Sequence, residues 1–413
     1  MLRRLISRFV KVGDLVVTEA NGRSQRYGDG SGPPVRVRLA PGAALKLALN
    51  PELTLGECYM NGELILEDGG GVYDLLDLIG RNMPYIGRGR LSAFQRMRFA
   101  ALRYLSQLND RRRSRRNVAH HYDLSNDLYR RFLDADMQYS CAYFADPDMT
   151  LEEAQAWKKA HILAKLRLQP GARVLDIGCG WGGLGLTLAE AAPGVQVKGV
   201  TLSTAQLALA QARARQRRLD DRVRFELTDY RDVQGPFDRI VSVGMFEHVG
   251  RPNYQAYFDT VARLLADDGI AVIHSIGRKD EPSITNPWIA KYIFPGGYIP
   301  ALSEVLPCVE RAGLWVTDVE VLRLHYAETL REWRRRFMAQ ADEIAAEYDR
   351  RLVRMFEFYF AVSEIAFRYN GHMVFQLQLA KRVDAVPITR DYIGEGERAL
   401  IGAKRPARLT AAE

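Results

Sequence analysis

The chain has 413 residues, 47% of them apolar and 26% charged, and its 58 Lys+Arg exceed its 50 Asp+Glu by eight. That length allows two or three domains with a sizeable core, and the composition excludes bulk disorder. The basicity is local: ten arginines (88, 90, 96, 98, 103, 111, 112, 113, 115 and 116) and one acid, Asp110, give residues 88–116 a net +9, so the other 384 sum to −1.

The four cysteines, Cys58, Cys141, Cys179 and Cys308, show no C-x-x-C or paired spacing. That argues against a disulfide framework or a zinc site and fits a reducing cytoplasm. The opening MLRRLISRFVKVGD lacks the apolar stretch and cleavage site of a signal peptide. No run approaches the roughly 18 apolar residues of a membrane span.

The first 85 residues read as a small α+β unit, with strands at 15–18 and 35–39 separated by a Gly/Ser/Pro cluster at 28–34, and helices at 43–49 and 72–81. No polar groups stand there at catalytic spacing, so binding or orienting is the expected role. Residues 86–118 form a basic linker, with Leu91, Phe94, Met97, Ala101 and Leu105 at helical spacing before the run RRRSRR at 111–116. This segment is either a connecting helix with solvated arginines or a patch for a membrane surface or nucleic acid. From residue 171 strands and helices alternate: strands at 172–177, 195–202, 223–228, 239–243 and 270–276, and helices at 183–192, 205–216 and 254–265. That order implies a parallel sheet covered by helices on both faces. A strand at 315–322, a long helical stretch from about 327 to 369 and a last strand at 373–381 follow.

The run Val174-Leu175-Asp176-Ile177-Gly178-Cys179-Gly180-Trp181-Gly182-Gly183 is a strand entering a glycine-rich turn and a helix. Glycines let the backbone approach a ligand closely, and a helix N-terminus favours polar or anionic groups. The form D-x-G-C-G-x-G differs from the dinucleotide G-x-G-x-x-G and looks like the S-adenosylmethionine loop of class I methyltransferases. A ribose-binding second strand ordinarily ends in an acid. Here it ends Thr201-Leu202-Ser203, with Gln206 beyond, so neutral hydrogen bonds from Thr201 and Gln206 would take that place.

Further segments join the loop in a fixed order: AHHYDLSND at 119–127, MQYSCAYF at 137–144, GVTLS at 199–203, SVGMFEHVG at 242–250 and KYIFPGG at 291–297. Together they resemble the cyclopropane-fatty-acyl-phospholipid synthase family, which includes the mycolic acid cyclopropane synthases. The likeness covers residues 117–385 and is weaker in the N-terminal region. It implies a class I methyltransferase fold, α/β with a Rossmann-like, mostly parallel seven-stranded sheet and helical lid insertions. The division becomes an N-terminal domain at 1–85, the basic linker at 86–118 and the methyltransferase domain at 119–413.

The implied reaction moves the methyl of S-adenosylmethionine to a cis double bond of an acyl chain in a membrane phospholipid. Loss of a methyl proton then closes a cyclopropane ring. A family member that leaves a methylene or methyl branch without closing the ring is the alternative. An alkene is a weak nucleophile, so positioning must supply much of the catalysis, and the cationic intermediate calls for a dry, aromatic-walled pocket. The family's base is a bound bicarbonate, whose cradle matches Cys141, Glu247, His274 and Tyr326, with the Ile276 backbone as a further contact. The cofactor pattern carries over to Tyr139, Ser140, Val174, Asp176, Gly178, Gly180, Gly182, Thr201, Leu202, Ser203, Gln206, Tyr230 and Arg231. His120 and His121 lack a third ligand at metal spacing and are read as part of a lid.

Residues 355–360 are helix core or a lining of the acyl pocket. Ser363 stands where many family members carry a cysteine, and no covalent intermediate is required of it. A substrate embedded in a bilayer makes residues 88–116 a peripheral membrane contact on the inner face of the membrane. A homodimer is left open. A nucleic-acid methyltransferase is disfavoured because no N/D-P-P-Y-type motif occurs and no stacking aromatics interleave the arginines. A non-catalytic lipid-binding protein has no reason to keep Cys141, Glu247, His274 and Tyr326 together.

Overall fold

The computed structural model describes residues 1–85 and 125–402. The arginine segment, the linker helix and the His120–His121 pair lie outside the described residues. Two compact units are present: one takes residues 1–85, 284–295 and 330–372, the other 125–283, 296–329 and 373–402.

The first unit contains a four-stranded sheet of β1 (Leu15–Thr18), β2 (Ser24–Tyr27), β3 (Val35–Leu39) and β4 (Leu64–Leu66), in the order β2-β1-β3-β4. β3 alternates buried valines with exposed arginines, as its period-2 pattern requires. β2 is polar and exposed over three of its four residues, so hydropathy alone does not reveal it. The contiguous division at residue 85 does not describe this unit, because helix Arg350–Tyr369 packs on helices Pro51–Met60 and Val72–Asn82. Glycine permits both approaches. A Cβ on Gly80 would collide with Tyr369 and Ile365, and one on Gly56 with Trp288 and Phe358. The helical stretch expected at 327–369 is three helices, His325–Met338, Ala341–Glu347 and Arg350–Tyr369. The last restarts where Asp349 Oδ1 accepts the Leu352 amide at 2.6 Å, an N-cap.

The second unit is built on seven strands: β5 (Arg173–Ile177), β6 (Gln196–Thr201), β7 (Val223–Leu227), β8 (Phe237–Val243), β9 (Leu265–Arg278), β10 (Trp315–Leu322) and β11 (His372–Ala380). Their order is β10-β11-β9-β8-β5-β6-β7. β5, β6, β7, β8 and β9 run parallel, and β10 pairs antiparallel with β11. Both faces are buried, which explains the near-continuous apolar strands. Val174, Val197, Val241 and Val272 join one core, and Leu175, Ile177, Ile240 and Ile273 the other. The register sets Ile177 opposite both Val200 and Ser242, so the carboxyl ends of β5, β6 and β8 meet at one crevice.

Helix Leu151–Leu166 was not evident from periodicity, because it is buried on nearly every side, polar residues included. Its local signature is a capping box: the Thr150 amide donates to Glu153 Oε2 at 2.8 Å, and the Glu153 amide to Thr150 Oγ1 at 3.3 Å. Among the described residues no helix is long and apolar enough to cross a membrane.

Candidate functional site

A cavity opens at the carboxyl ends of these strands, where a doubly wound sheet binds ligands. It encloses about 1280 Å³ of empty space, its open mouth included. The turn after β5 forms its floor. Gly178 has φ +84°, and a Cβ there would strike the Met245 side chain, so only glycine suits the position. Tyr139, Ser140, Asp176, Gly178, Gly180, Thr201, Leu202, Gln206, Tyr230 and Arg231 all line the cavity.

Three other residues expected at this site stand behind the lining. Val174 lies mid-strand in the core. Gly182, at φ +81°, precedes helix Gly183–Ala191 and packs under Phe225. Ser203 spends its hydroxyl as the N-cap of helix Thr204–Gln216, accepting the Gln206 amide at 3.3 Å.

At the end of β6, Thr201 Oγ1 donates to Gln206 Oε1 at 3.1 Å, a neutral pair where an acid is usual. An acid does reach the cavity one strand further on. Asp229 holds Arg231, whose Nε donates to Oδ1 at 2.8 Å and whose Nη2 donates to Oδ2 at 2.6 Å. The sequence reading missed Asp229, although its place just beyond β7 is the strand-end signal that could have found it. Trp181, within the expected glycine loop, lines the cavity too, and its indole Nε1 donates to Asn126 Oδ1 at 2.8 Å. Burial pushes the Asp176 carboxyl up to about 7 and leaves its Oδ2 without a hydrogen-bond partner. It pushes His248, also at the cavity, down to about 4, so that ring is neutral.

The residues expected to cradle an anion form two groups. In the first, the Ile276 amide donates to Glu247 Oε1 at 2.6 Å, and Glu247 Oε2 is buried with no partner. His274 lies two residues before Ile276 on the same face of β9 and is 2% exposed. The Gln376 amide nitrogen stands 3.1 Å from its Nδ1. With that amide donating, Nδ1 accepts and the ring proton sits on Nε2. Burial holds His274 neutral and raises Glu247 to about 7, against the opposing Ile276 hydrogen bond.

The second group is Cys141 and Tyr326, both buried. The Ala142 amide donates to Thr329 Oγ1 at 3.0 Å and the Phe144 amide to His325 Nδ1 at 3.0 Å. These bonds tie the Cys141 segment to the helix turn that carries Tyr326. The Cys141 thiol donates to the Ala142 carbonyl at 3.2 Å, and burial pushes its pKa far up, so it is no thiolate nucleophile. Gly244 links the groups: its amide donates to the His274 carbonyl at 2.9 Å, and its α-carbon faces Ser140 and the Tyr139 carbonyl.

The aromatic run of helix Arg350–Tyr369 is core of the first unit. Phe356 stacks on Phe337 at 5.1 Å, and Phe358 meets Trp288 edge-on at 4.6 Å.

A mostly parallel seven-stranded sheet with a glycine turn and cavity at its carboxyl ends defines an S-adenosylmethionine-dependent methyltransferase of class I. Coclaurine N-methyltransferase, solved with SAH, shares that fold at 23% identity and a TM-score of 0.66, over 79% of this chain and 99% of that one. The description "Mycolic acid cyclopropane synthetase" matches residues 109–377, more than half of the chain, and the protein belongs to that family. It is 42% identical over 335 residues to cyclopropane-fatty-acyl-phospholipid synthase of Escherichia coli K12, covering 80% of this chain and 84% of the relative. It is 35% identical over 396 residues to tuberculostearic acid methyltransferase UfaA1 of Mycobacterium tuberculosis, covering 92% and 90%. Mycolic acid cyclopropane synthase CmaA1, solved with SAH and CTAB, superposes at a TM-score of 0.61 with 36% identity, over 64% of this chain and 97% of that one.

Proposed function

We propose that the protein transfers the methyl carbon of S-adenosylmethionine to a cis double bond in a membrane-phospholipid acyl chain and closes a cyclopropane ring. Bicarbonate is proposed to lie among Cys141, Glu247, His274, Ile276 and Tyr326. The observation that carries this reading is the Glu247 carboxyl: one oxygen accepts from the Ile276 amide, and the other is buried with no partner, while His274, two residues before Ile276, is held neutral by burial. A buried polar atom without a partner costs about 1–3 kcal/mol, so the pocket favours a ligand that supplies one.

The donor set suits a small oxyanion carrying one proton. His274 Nε2–H and the Tyr326 hydroxyl donate, and Glu247 accepts the anion's own O–H. Bound there, bicarbonate would supply a base for the methyl proton that an alkylating cofactor does not readily consume. Burial supplies the dryness that a carbocation requires. Support for a pocket next to the cofactor comes from Gly244, which bonds the His274 carbonyl and lies against Tyr139 and Ser140.

A second reading, methyl branching without ring closure, is favoured by the likeness to tuberculostearic acid methyltransferase over 92% of the chain. One assay separates the two. Purified protein is given monounsaturated phospholipid vesicles and S-adenosylmethionine in CO2-depleted buffer, with and without added bicarbonate. The expected product gains one CH2, resists double-bond derivatisation and forms only with bicarbonate. A derivatisable product supports branching, and equal turnover without bicarbonate overturns the anion-base reading.

The arginine segment is proposed as the electrostatic contact with the anionic inner leaflet. Its +9 lies within 29 residues, and each arginine near the surface contributes about 1 kcal/mol.

A further inference from the structure

Helix Leu151–Leu166 carries a lysine, Lys158, with no solvent exposure. Its Nζ donates to Gln138 Oε1 at 2.6 Å and to Ser140 Oγ at 2.9 Å. One turn earlier on the same helix, Gln155 Nε2 donates to the carbonyl oxygens of Gln138 at 3.2 Å and Ser140 at 2.9 Å. Two side chains thus grip two residues, Gln138 and Ser140, of the segment that lines the cofactor cavity.

We propose that Lys158 and Gln155 form a positioning clamp that fixes Ser140 as a hydrogen-bond donor into the cofactor cavity. An ammonium donates and cannot accept. Lys158 therefore occupies a lone pair of Ser140 Oγ and turns the hydroxyl proton away from the helix, toward the cavity that Ser140 lines. The Gln138 amide is oriented in the same way: its oxygen accepts from Lys158, and its nitrogen donates to Asp136 Oδ2 at 2.9 Å.

Packing alone does not call for a charge here. Burying an ammonium costs several kcal/mol, and an apolar side chain of similar volume often packs as well or better. Both of the oxygens that Lys158 grips are neutral, and the nearby Asp134 and Asp136 carboxylates offset only part of the cost of burial. Burial also draws its pKa down to about 8. A group retained at this cost is explained by orienting the residues that meet the ligand.

The inference rests on the reading that Ser140 meets the cofactor, and the test separates the two. Binding of S-adenosylhomocysteine is measured by calorimetry for the unaltered protein, S140A, K158M and the double variant. S140A and K158M should each weaken binding about tenfold, and the double variant no further, because both remove one donor. Losses that multiply to about a hundredfold, or unchanged affinity in K158M while S140A is weakened, overturn the clamp. Unchanged affinity in S140A overturns the reading of Ser140 and the clamp with it. Should K158M fail to melt cooperatively, the same cycle with Q155L, which releases the two carbonyls, decides by the same outcomes.

Discussion

The Ile276 amide and Glu247 Oε1 stand 2.6 Å apart, and this bond ties the segment after β8 to the carboxyl-terminal end of β9. It leaves the other carboxylate oxygen buried and available. Replacing Glu247 with Gln keeps the side-chain shape and an oxygen for the Ile276 amide but gives up the acceptor. Turnover should fall by at least about a hundredfold, the scale of a lost acid–base group. S-adenosylhomocysteine affinity should stay within about threefold, measured by calorimetry beside a product assay. Near-normal turnover would remove Glu247 from the proposed chemistry.

Burial raises the Glu247 carboxyl from its ordinary 4.5 to about 7. Between those values the folded protein holds a proton that the unfolded chain has lost, so stability falls as pH rises through that window and is flat outside it. The difference is on the order of 3 kcal/mol. E247Q lacks this titration. Thermal melts of the ligand-free protein at pH 5 and pH 8 should show a larger loss in the unaltered chain than in the variant. Parallel curves would show that the carboxyl is not buried as described.

The turn after β5 makes a stringent demand on residue 178. Gly178→Ala sets a Cβ on a backbone at φ +84° and against the Met245 side chain. The strain is about 1–3 kcal/mol. Cofactor affinity should drop at least tenfold, while Gly171→Ala, at φ +76° with open space around it, should cost some stability and leave affinity intact. Equal affinity losses in the two would mean the turn does not shape the cavity.

Reversing Arg111, Arg112, Arg113, Arg115 and Arg116 to Glu should abolish co-sedimentation with vesicles rich in anionic lipid. S-adenosylhomocysteine binding should not change. Binding of the unaltered protein should weaken as salt rises, since exposed charges are screened beyond about 10 Å at 0.1 M. Unchanged sedimentation of the variant would move the membrane contact elsewhere on the molecule.

The methyltransferase sheet was legible because its central strands carry apolar runs and mostly alternate with helices, and the glycine run marked its ligand edge. Tyr139 and Ser140 reach the cavity from a stretch of chain apart from Thr201 and Gln206; the end of the second strand pointed to the latter pair, and only motif resemblance added the former. The N-cap role of the Ser203 hydroxyl was not legible because the sequence does not distinguish a cap hydroxyl from a ligand hydroxyl. Lys158 and Gln155 went unnoticed because they are polar residues on a helix buried nearly all round, where amphipathic periodicity gives no signal. The composition of the first unit was hidden for a different reason. Gly56 and Gly80 look like ordinary interruptions of a helix, and nothing local reports that residues 358 and 369 lie against them.

That last feature sets a schedule for synthesis. Helix Val72–Asn82 leaves the ribosome almost three hundred residues before its partner, helix Arg350–Tyr369. At about 5–20 residues per second the wait is roughly 15–60 s. Throughout it, the apolar faces of Pro51–Met60 and Val72–Asn82 lack the side chains that finally cover them. The nascent N-terminus is therefore a client for holding chaperones until most of the chain has been made, and termination before residue 350 leaves that surface open.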